Sequence, residues 1–174
     1  MEKIIDAVPA EDIIKELTPE RFVRKTNYGN NEIYVINAHN APNTMREIGR
    51  LREWAFRESG GGTGKSSDID EFDTRDEAYF EQLIVWDPVE KEILGGYRFI
   101  ECNKLPIKNN GQVDTPTSEL FYYSEDFIKN YLPYTIELGR SFVQPKYQST
   151  GNVRKSIFTL DNLWDGLGAV LKQT

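Results

Sequence analysis

Glu137-Leu138-Gly139-Arg140-Ser141-Phe142-Val143, running into Gln144-Pro145-Lys146-Tyr147-Gln148-Ser149-Thr150-Gly151-Asn152 and then a helical pattern, is the stretch that decides the fold. The first part reads as a strand. On a strand Glu137, Gly139 and Ser141 share one face, and Leu138, Arg140 and Phe142 share the other. A glutamate in such a run is costly to bury unless it is paired or at work. The glycine-containing turn that follows leaves backbone amides free where the helix starts, a natural cradle for a phosphate or pyrophosphate. Taken alone, the turn reads as a plain strand-to-helix connection, and the glutamate as a structural partner of an arginine. Together they point to a site.

Working outward, two more strands precede this one. Phe80 to Trp86 is closed by Asp87-Pro88, and Ile93 to Cys102 carries a double glycine near its start. The strand of the deciding stretch itself is expected over Thr135 to Val143. Leu105 to Thr117 is a loop, and Ser124-Glu125-Asp126 caps a short helix through Phe127, Ile128, Tyr131 and Leu132. Beyond the turn, Ile157, Leu160, Leu163, Trp164, Leu167, Val170 and Leu171 recur at helical spacing. On the N-terminal side, Met45, Ile48, Leu51, Trp54, Ala55 and Phe56 give a helix that starts around His39 to Thr44 and dies at Gly60-Gly61-Gly62. Ile33 to Ile36 reads as a strand after the turn chemistry of Asn27 to Asn31. The first 25 residues read as an adapter, with a short helix over Ile13, Ile14 and Leu17 ended by Thr18-Pro19. The order predicts a mixed α+β domain over residues 30–174 with an N-terminal extension, residues 1–29. A strand-then-helix unit normally continues to a further strand. The amphipathic last helix therefore predicts that these 174 residues are the N-terminal portion of something longer.

Composition narrows the chemistry. Hydrophobic residues are 39% and charged residues 28% of the chain, the balance of a globular protein, and no apolar stretch is long enough to span a membrane or serve as a secretory signal. The formal charge of −7 argues against nucleic acid as the main partner. One cysteine, Cys102, excludes an internal disulfide and fits a reducing cytoplasm. With one histidine, His39, the usual nitrogen and sulfur zinc site is excluded, and a Ser-His-Asp hydrolase would hang on that residue alone. Carboxylates, arginines, tyrosines and backbone amides are left to carry any catalysis.

Two strings imitate familiar sites. Ser59-Gly60-Gly61-Gly62-Thr63-Gly64-Lys65-Ser66 nearly spells a phosphate-binding loop, but Ser59 stands where that motif needs glycine, and the string follows a helix rather than a strand. It is expected to be a helix C-terminus running into a mobile loop. Asp68-Ile69-Asp70-Glu71-Phe72-Asp73 lacks the central glycine and twelfth-position glutamate of a calcium loop. It is either a solvated acidic loop or a set of carboxylates turned inward to pair with arginines, anchored by Phe72.

These residues resemble a known family. Val143 with Gln148-Ser149-Thr150-Gly151 resembles the acyl-donor loop of the GNAT acyltransferase superfamily, with Val153 where a small residue is expected. The ordered set Arg52, Phe56, Asp70, Asp73, Arg98, Glu137 and Arg140 resembles the charged signature of acyl-homoserine lactone synthases and of the hemolysin-like branch that makes ornithine and glycine lipids. Within that branch the likeness is greatest to the long hemolysin-like proteins of Bacteroidetes type. It spans about residues 30 to 173. The resemblance implies a GNAT-like fold, a mostly antiparallel central sheet with flanking helices, cut off after the helix that follows the acyl-donor loop.

The activity it implies is N-acyl transfer. A fatty acyl group, often 3-hydroxylated, would pass from acyl carrier protein or CoA to the amine of an amino acid such as glycine or ornithine, in aminolipid synthesis. Glu137 would be the base, with Arg52, Arg98, Arg140, Asp70 and Asp73 as the charged set, and one of the three arginines would hold the acceptor carboxylate. Amides near Phe142 and Val143 would stabilise the oxyanion. The phosphopantetheine phosphate would lie against Gln148, Ser149, Thr150, Gly151 and Asn152, beside Lys146, Arg154 and Lys155, which also offer a carrier protein a docking patch. No tightly bound cofactor or metal is implied, only the thioester co-substrate. A cytoplasmic place at the inner membrane face and a homodimer are further expectations. The alternatives are a lactone signal synthase using S-adenosylmethionine, disfavoured by Gly60 to Gly62 where those enzymes carry tryptophan, and a non-catalytic acyl-carrier-binding module.

Overall fold

The computed structural model describes residues 1–148 and 153–173. Five strands form one antiparallel sheet in sequence order: β1 (Phe22–Lys25), β2 (Glu32–Ile36), β3 (Glu81–Asp87), β4 (Glu92–Glu101) and β5 (Ile136–Val143). The helices are α1 (Ala10–Glu16), α2 (Pro42–Glu58), α3 (Glu71–Thr74), α4 (Glu125–Asn130) and α5 (Val153–Gln173). The mixed α+β expectation holds.

β3 is the middle strand and is covered on both faces, which is why it reads as an unbroken apolar run. Ile84 and Trp86 pack under α2 with Met45, Ile48, Leu51 and Ala55. Leu83 and Val85 pack on the other side with Leu163 and Val170 of α5. The α5 contact is close: a Cβ on Gly166 would lie 2.7 Å from a methyl of the fully buried Leu83, which would have to shift to admit it. The tight β3–β4 connection is set by Asp87, whose carboxylate accepts from the amides of Val89 and Glu90 at 2.9 and 3.1 Å.

Several expectations are corrected. The N-terminal segment supplies β1, which pairs with β2, and Ile13 of α1 lies in the α2-side core. This strand is four residues long and half basic, Phe22-Val23-Arg24-Lys25, so no apolar alternation announces it. The start of α2 is not capped by its own side chains. Glu16, from α1, accepts from the amides of Asn43 and Thr44 at 3.0 and 2.7 Å. The sheet-facing stripe of α5 is Thr159, Asn162, Leu163, Gly166 and Val170, so Leu160, Trp164 and Leu171 of the apolar stripe stay exposed. The glycine-rich string is not a loose loop. Its Thr63 and Gly64 amides, which would cradle a phosphate, donate to the buried carboxylate of Glu53 at 3.0 and 2.8 Å. Burial works against that charge, but hydrogen bonds from Thr63, Arg57 and Gly64 together hold the carboxyl below its ordinary range.

Candidate active site

The acidic string turns inward. Asp70 caps α3 in a reciprocal box: Phe72 donates to Asp70 Oδ1 at 3.0 Å, and Asp70 donates its own amide to Asp73 Oδ2 at 3.2 Å. The segment can approach α2 because Gly49 has no side chain. The Asp68 amide donates to the Gly49 carbonyl at 3.0 Å, and a Cβ on Gly49 would fall 2.6 Å from Ile69.

Three arginines meet these three aspartates. Arg52 of α2, with no exposed surface, contacts Asp73 at 3.2 Å and donates to Gln82 Oε1, while Gln82 Nε2 donates to Asp73 at 2.9 Å. Arg98 of β4 donates through Nη1 to both Asp70 oxygens at 2.7 and 2.8 Å and stands 3.3 Å from Asp73. Its guanidinium lies over Phe80, 5.0 Å from the ring centre. Arg140 of β5 reaches Asp68 at 3.3 Å and Asp70 at 3.6 Å. Burial pulls the Arg52 guanidinium below its ordinary value despite Asp73, whereas the Asp70 hydrogen bond holds Arg98 above its own against the same burial. Burial disfavours the charge on Asp70 as well, yet Arg98 keeps its carboxyl below the usual range. Asp68 goes the other way, pushed up by burial against the pull of Arg140.

Arg140 sits at an irregularity. Gly96 pairs with Phe142 but Arg98 pairs with Gly139, so β5 carries one extra residue there, and Arg140 has φ 52°. This bulge breaks the strict alternation expected for the strand. Ile136 and Val143, which alternation would put on opposite faces, both pack on the α5 side, while Phe142 lies under α2. The bulge thus turns Arg140 toward Asp68 and Asp70, the second of which it shares with Arg98. A non-glycine residue in this conformation costs about 1–2 kcal/mol, and no local sequence signal announces it.

Glu137 stands apart from this network. It pairs with Ile100 across the sheet, and its Oε1 accepts from the Thr117 hydroxyl at 2.8 Å and the Thr117 amide at 3.2 Å. It borders a cleft of about 360 Å³ with Asp70, Arg98, Thr117, Gly139 and Arg140. A second cleft of about 350 Å³, lined by Tyr97, Leu160, Leu163, Trp164 and Leu167, shares Leu138, Gly139 and Arg140 with the first. β5 therefore divides a charged cleft from an apolar trough. The Cys102 thiol, behind Glu137, is buried and pushed up to about 11 by that burial, so it is a poor nucleophile.

Other expected residues separate. Phe142 and Val143 stand in regular register against Gly96 and Gly95. The Gln144 amide donates to Leu94 at 2.8 Å, so alternation turns the Val143 amide toward the open edge of β5. Lys146 is tied to Glu92 at 2.7 Å and is not a free docking cation. Gln148 donates its side-chain amide to the Val143 carbonyl. Ser149, Thr150, Gly151 and Asn152, and the side chains of Arg154 and Lys155, lie outside the described residues. Asp68 belongs to the acidic string expected to turn inward as one of its two readings, whereas the contributions of Gln82 and Thr117 emerge only in the fold. Neither Gln82 nor Thr117 carries a local sequence signal.

Comparison with known proteins fits this geometry. The chain is 56% identical over 98% of its length to a protein of Bacteroides thetaiotaomicron named "Glycine N(alpha)-acyltransferase", and 52% identical over 98% to one of the same name from Phocaeicola vulgatus. It covers 50% and 52% of their lengths, so the chain spans about half of these curated relatives. No solved structure matches it. Residues 51–156, which run from the buried arginine of α2 through the charged cleft to the start of α5, match the acetyltransferase (GNAT) domain, and the chain belongs to that acyltransferase family.

Proposed function

We propose that this domain transfers a fatty acyl group from a phosphopantetheine thioester, on acyl carrier protein or CoA, to the amino group of glycine. The observation that carries the reading is the division made by β5: a charged cleft bordered by the Glu137 carboxylate, which has no ion pair among the described residues, on one side and an apolar trough on the other, with Leu138, Gly139 and Arg140 common to both. The names of the relatives support glycine as acceptor.

The chemistry follows from the groups present. The ammonium of the acceptor must lose a proton before it can attack, and Glu137 is suited to take it, directly or through a water. The amine nitrogen then bonds to the thioester carbon, the carbon–sulfur bond breaks, and the thiol leaves. With the Cys102 thiol pushed up by burial, direct attack by the amine is favoured over an acyl-enzyme. The open-edge amide of Val143 is the candidate oxyanion donor, worth roughly 3–4 kcal/mol in comparable sites. Arg52 is shut off from the cleft, and Arg98 is bonded on Nη1 to Asp70, so Arg140, with a third of its side chain exposed, is best placed for the acceptor carboxylate. The acyl chain would lie along Leu138, Leu160 and Trp164. A product with a fatty tail fits aminolipid synthesis at the inner face of the membrane. Among the described residues no helix is long and apolar enough to cross a bilayer.

Incubating the full chain with acyl-carrier thioester and glycine, and detecting the amide by mass spectrometry, tests this. Glu137→Gln should lower turnover at least a hundredfold, the scale of general-base contributions, while leaving carrier binding intact. Equal turnover by both forms would refute the base assignment, and lactone release with S-adenosylmethionine would favour a signal synthase instead.

A further inference from the structure

Glu137 is held by the turn over residues 115–118, which lines the charged cleft through Pro116 and Thr117. Thr115, Pro116, Thr117 and Ser118 close on themselves: the Thr115 amide donates to Ser118 Oγ at 3.1 Å, the Ser118 hydroxyl returns a bond to the Thr115 carbonyl at 2.8 Å, and the Ser118 amide donates to Thr115 Oγ1 at 3.3 Å. Thr115 is fully buried, and Pro116 sits at φ −52° and ψ −37°, the conformation its ring prefers. The turn is therefore rigid where it meets the sheet. Both donors of Thr117, amide and hydroxyl, converge on one oxygen, Glu137 Oε1. Among the described residues no donor reaches Oε2, and no cation lies within ion-pair reach of the carboxylate.

We infer that Thr117 is a positioning residue for the base: it fixes one carboxylate oxygen so that the other is presented to the acceptor amine. This rests on the proposed role of Glu137 as base. The arginines next to Glu137 in the cleft are engaged by Asp68, Asp70 and Asp73, so the carboxylate has no ion pair to orient it. Without an anchor it would sample several rotamers, and a base a fraction of an ångström out of place loses much of its effect. The hydroxyl and amide of Thr117 replace the missing cation with a pair of neutral donors. The 102–135 excursion between β4 and β5 thereby becomes part of the site.

The test uses the full chain in the glycine acylation assay, with thermal unfolding recorded for every variant. Thr117→Val, which keeps the amide and removes the hydroxyl, should lower kcat roughly tenfold to hundredfold, the loss expected when one hydrogen bond to a charged group disappears. KM for glycine should be unchanged, and Thr117→Ser should restore most of kcat. In a Glu137→Gln background the same substitution should have no further effect. Should Thr117→Val fail to fold, Thr117→Ala removes the same hydroxyl without the added methyl. Independently of activity, the Thr117 amide proton should resonate downfield in the wild type and lose that displacement in Glu137→Ala. If Glu137→Gln is inactive but Thr117→Val matches the wild type, the positioning role is wrong and the base survives. If Glu137→Gln turns over normally, or the wild type makes no amide, both fall together. A loss of kcat in Thr117→Ser equal to that in Thr117→Val would also overturn the inference.

Discussion

Replacing Arg52 with methionine tests whether the charged network supports the fold as well as the site. Arg52 is wholly buried, and its partners are Asp73, at 3.2 and 3.3 Å, and Gln82. Methionine fills similar space without charge. Breaking a buried pair by removing one partner typically costs about 3–5 kcal/mol, because the other charge is stranded. Here Asp73 keeps Gln82 Nε2 at 2.9 Å, Arg98 at 3.3 Å and the Asp70 amide at 3.2 Å, which places the loss near the low end. Gln82 Oε1 loses its donor, adding about 1 kcal/mol or more. The expected total is about 4 kcal/mol, or roughly 8–16 °C in Tm for a domain of this size. Urea unfolding followed by circular dichroism measures it. Arg52→Met combined with Asp73→Asn should be less destabilised than the sum of the single changes, since the stranded charge is gone. A single-mutant loss below about 1 kcal/mol, or strict additivity in the double mutant, would refute the claim that these charges depend on one another.

Asp68→Asn should act in the opposite direction. Burial raises the folded-state pKa of Asp68 above its unfolded value, so the protonated form is the one that folding favours. The wild type is penalised at neutral pH, and the penalty fades as pH falls through the folded value. The asparagine variant should thus be at least as stable as the wild type at pH 7, and the two should converge below about pH 4, the ordinary carboxylate value. A clear loss of stability at pH 7 would contradict this. Glu53→Gln places an amide nitrogen among the donors of Thr63, Gly64 and Arg57, and should cost about 2 kcal/mol and expose the Gly60–Gly64 segment to proteolysis. Cleavage there at the wild-type rate would sink that reading.

How much of this was legible in the sequence depends on the range of the forces involved. The α2 periodicity and the apolar runs of β3 and β4 announce themselves, because burial against a neighbouring layer imposes a local pattern. The inward turn of Asp70 and Asp73 was readable as one of two options and is settled by Gly49, whose missing side chain admits the acidic segment to α2. The bulge at Arg140 was not readable. It depends on Asp68 and Asp70, some seventy residues earlier, to hold an arginine in a backbone shape it would not choose alone. Alternation along β5 therefore assigned Arg140 and Phe142 from a regular strand that does not exist there. Thr117 was placed at the end of a loop, and only the fold brings it to Glu137.

The three arginines and three aspartates cancel one another in sign. A visiting zwitterion consequently meets a neutral wall whose dipoles are already locked, and the net field it feels near β5 comes from whichever acidic groups have no counterion. Added salt should leave such a wall unmoved. Any ionic-strength dependence of acylation would therefore report on Glu137 and on the part-exposed Arg140, rather than on the buried charges of Arg52, Arg98 and Asp73 behind them.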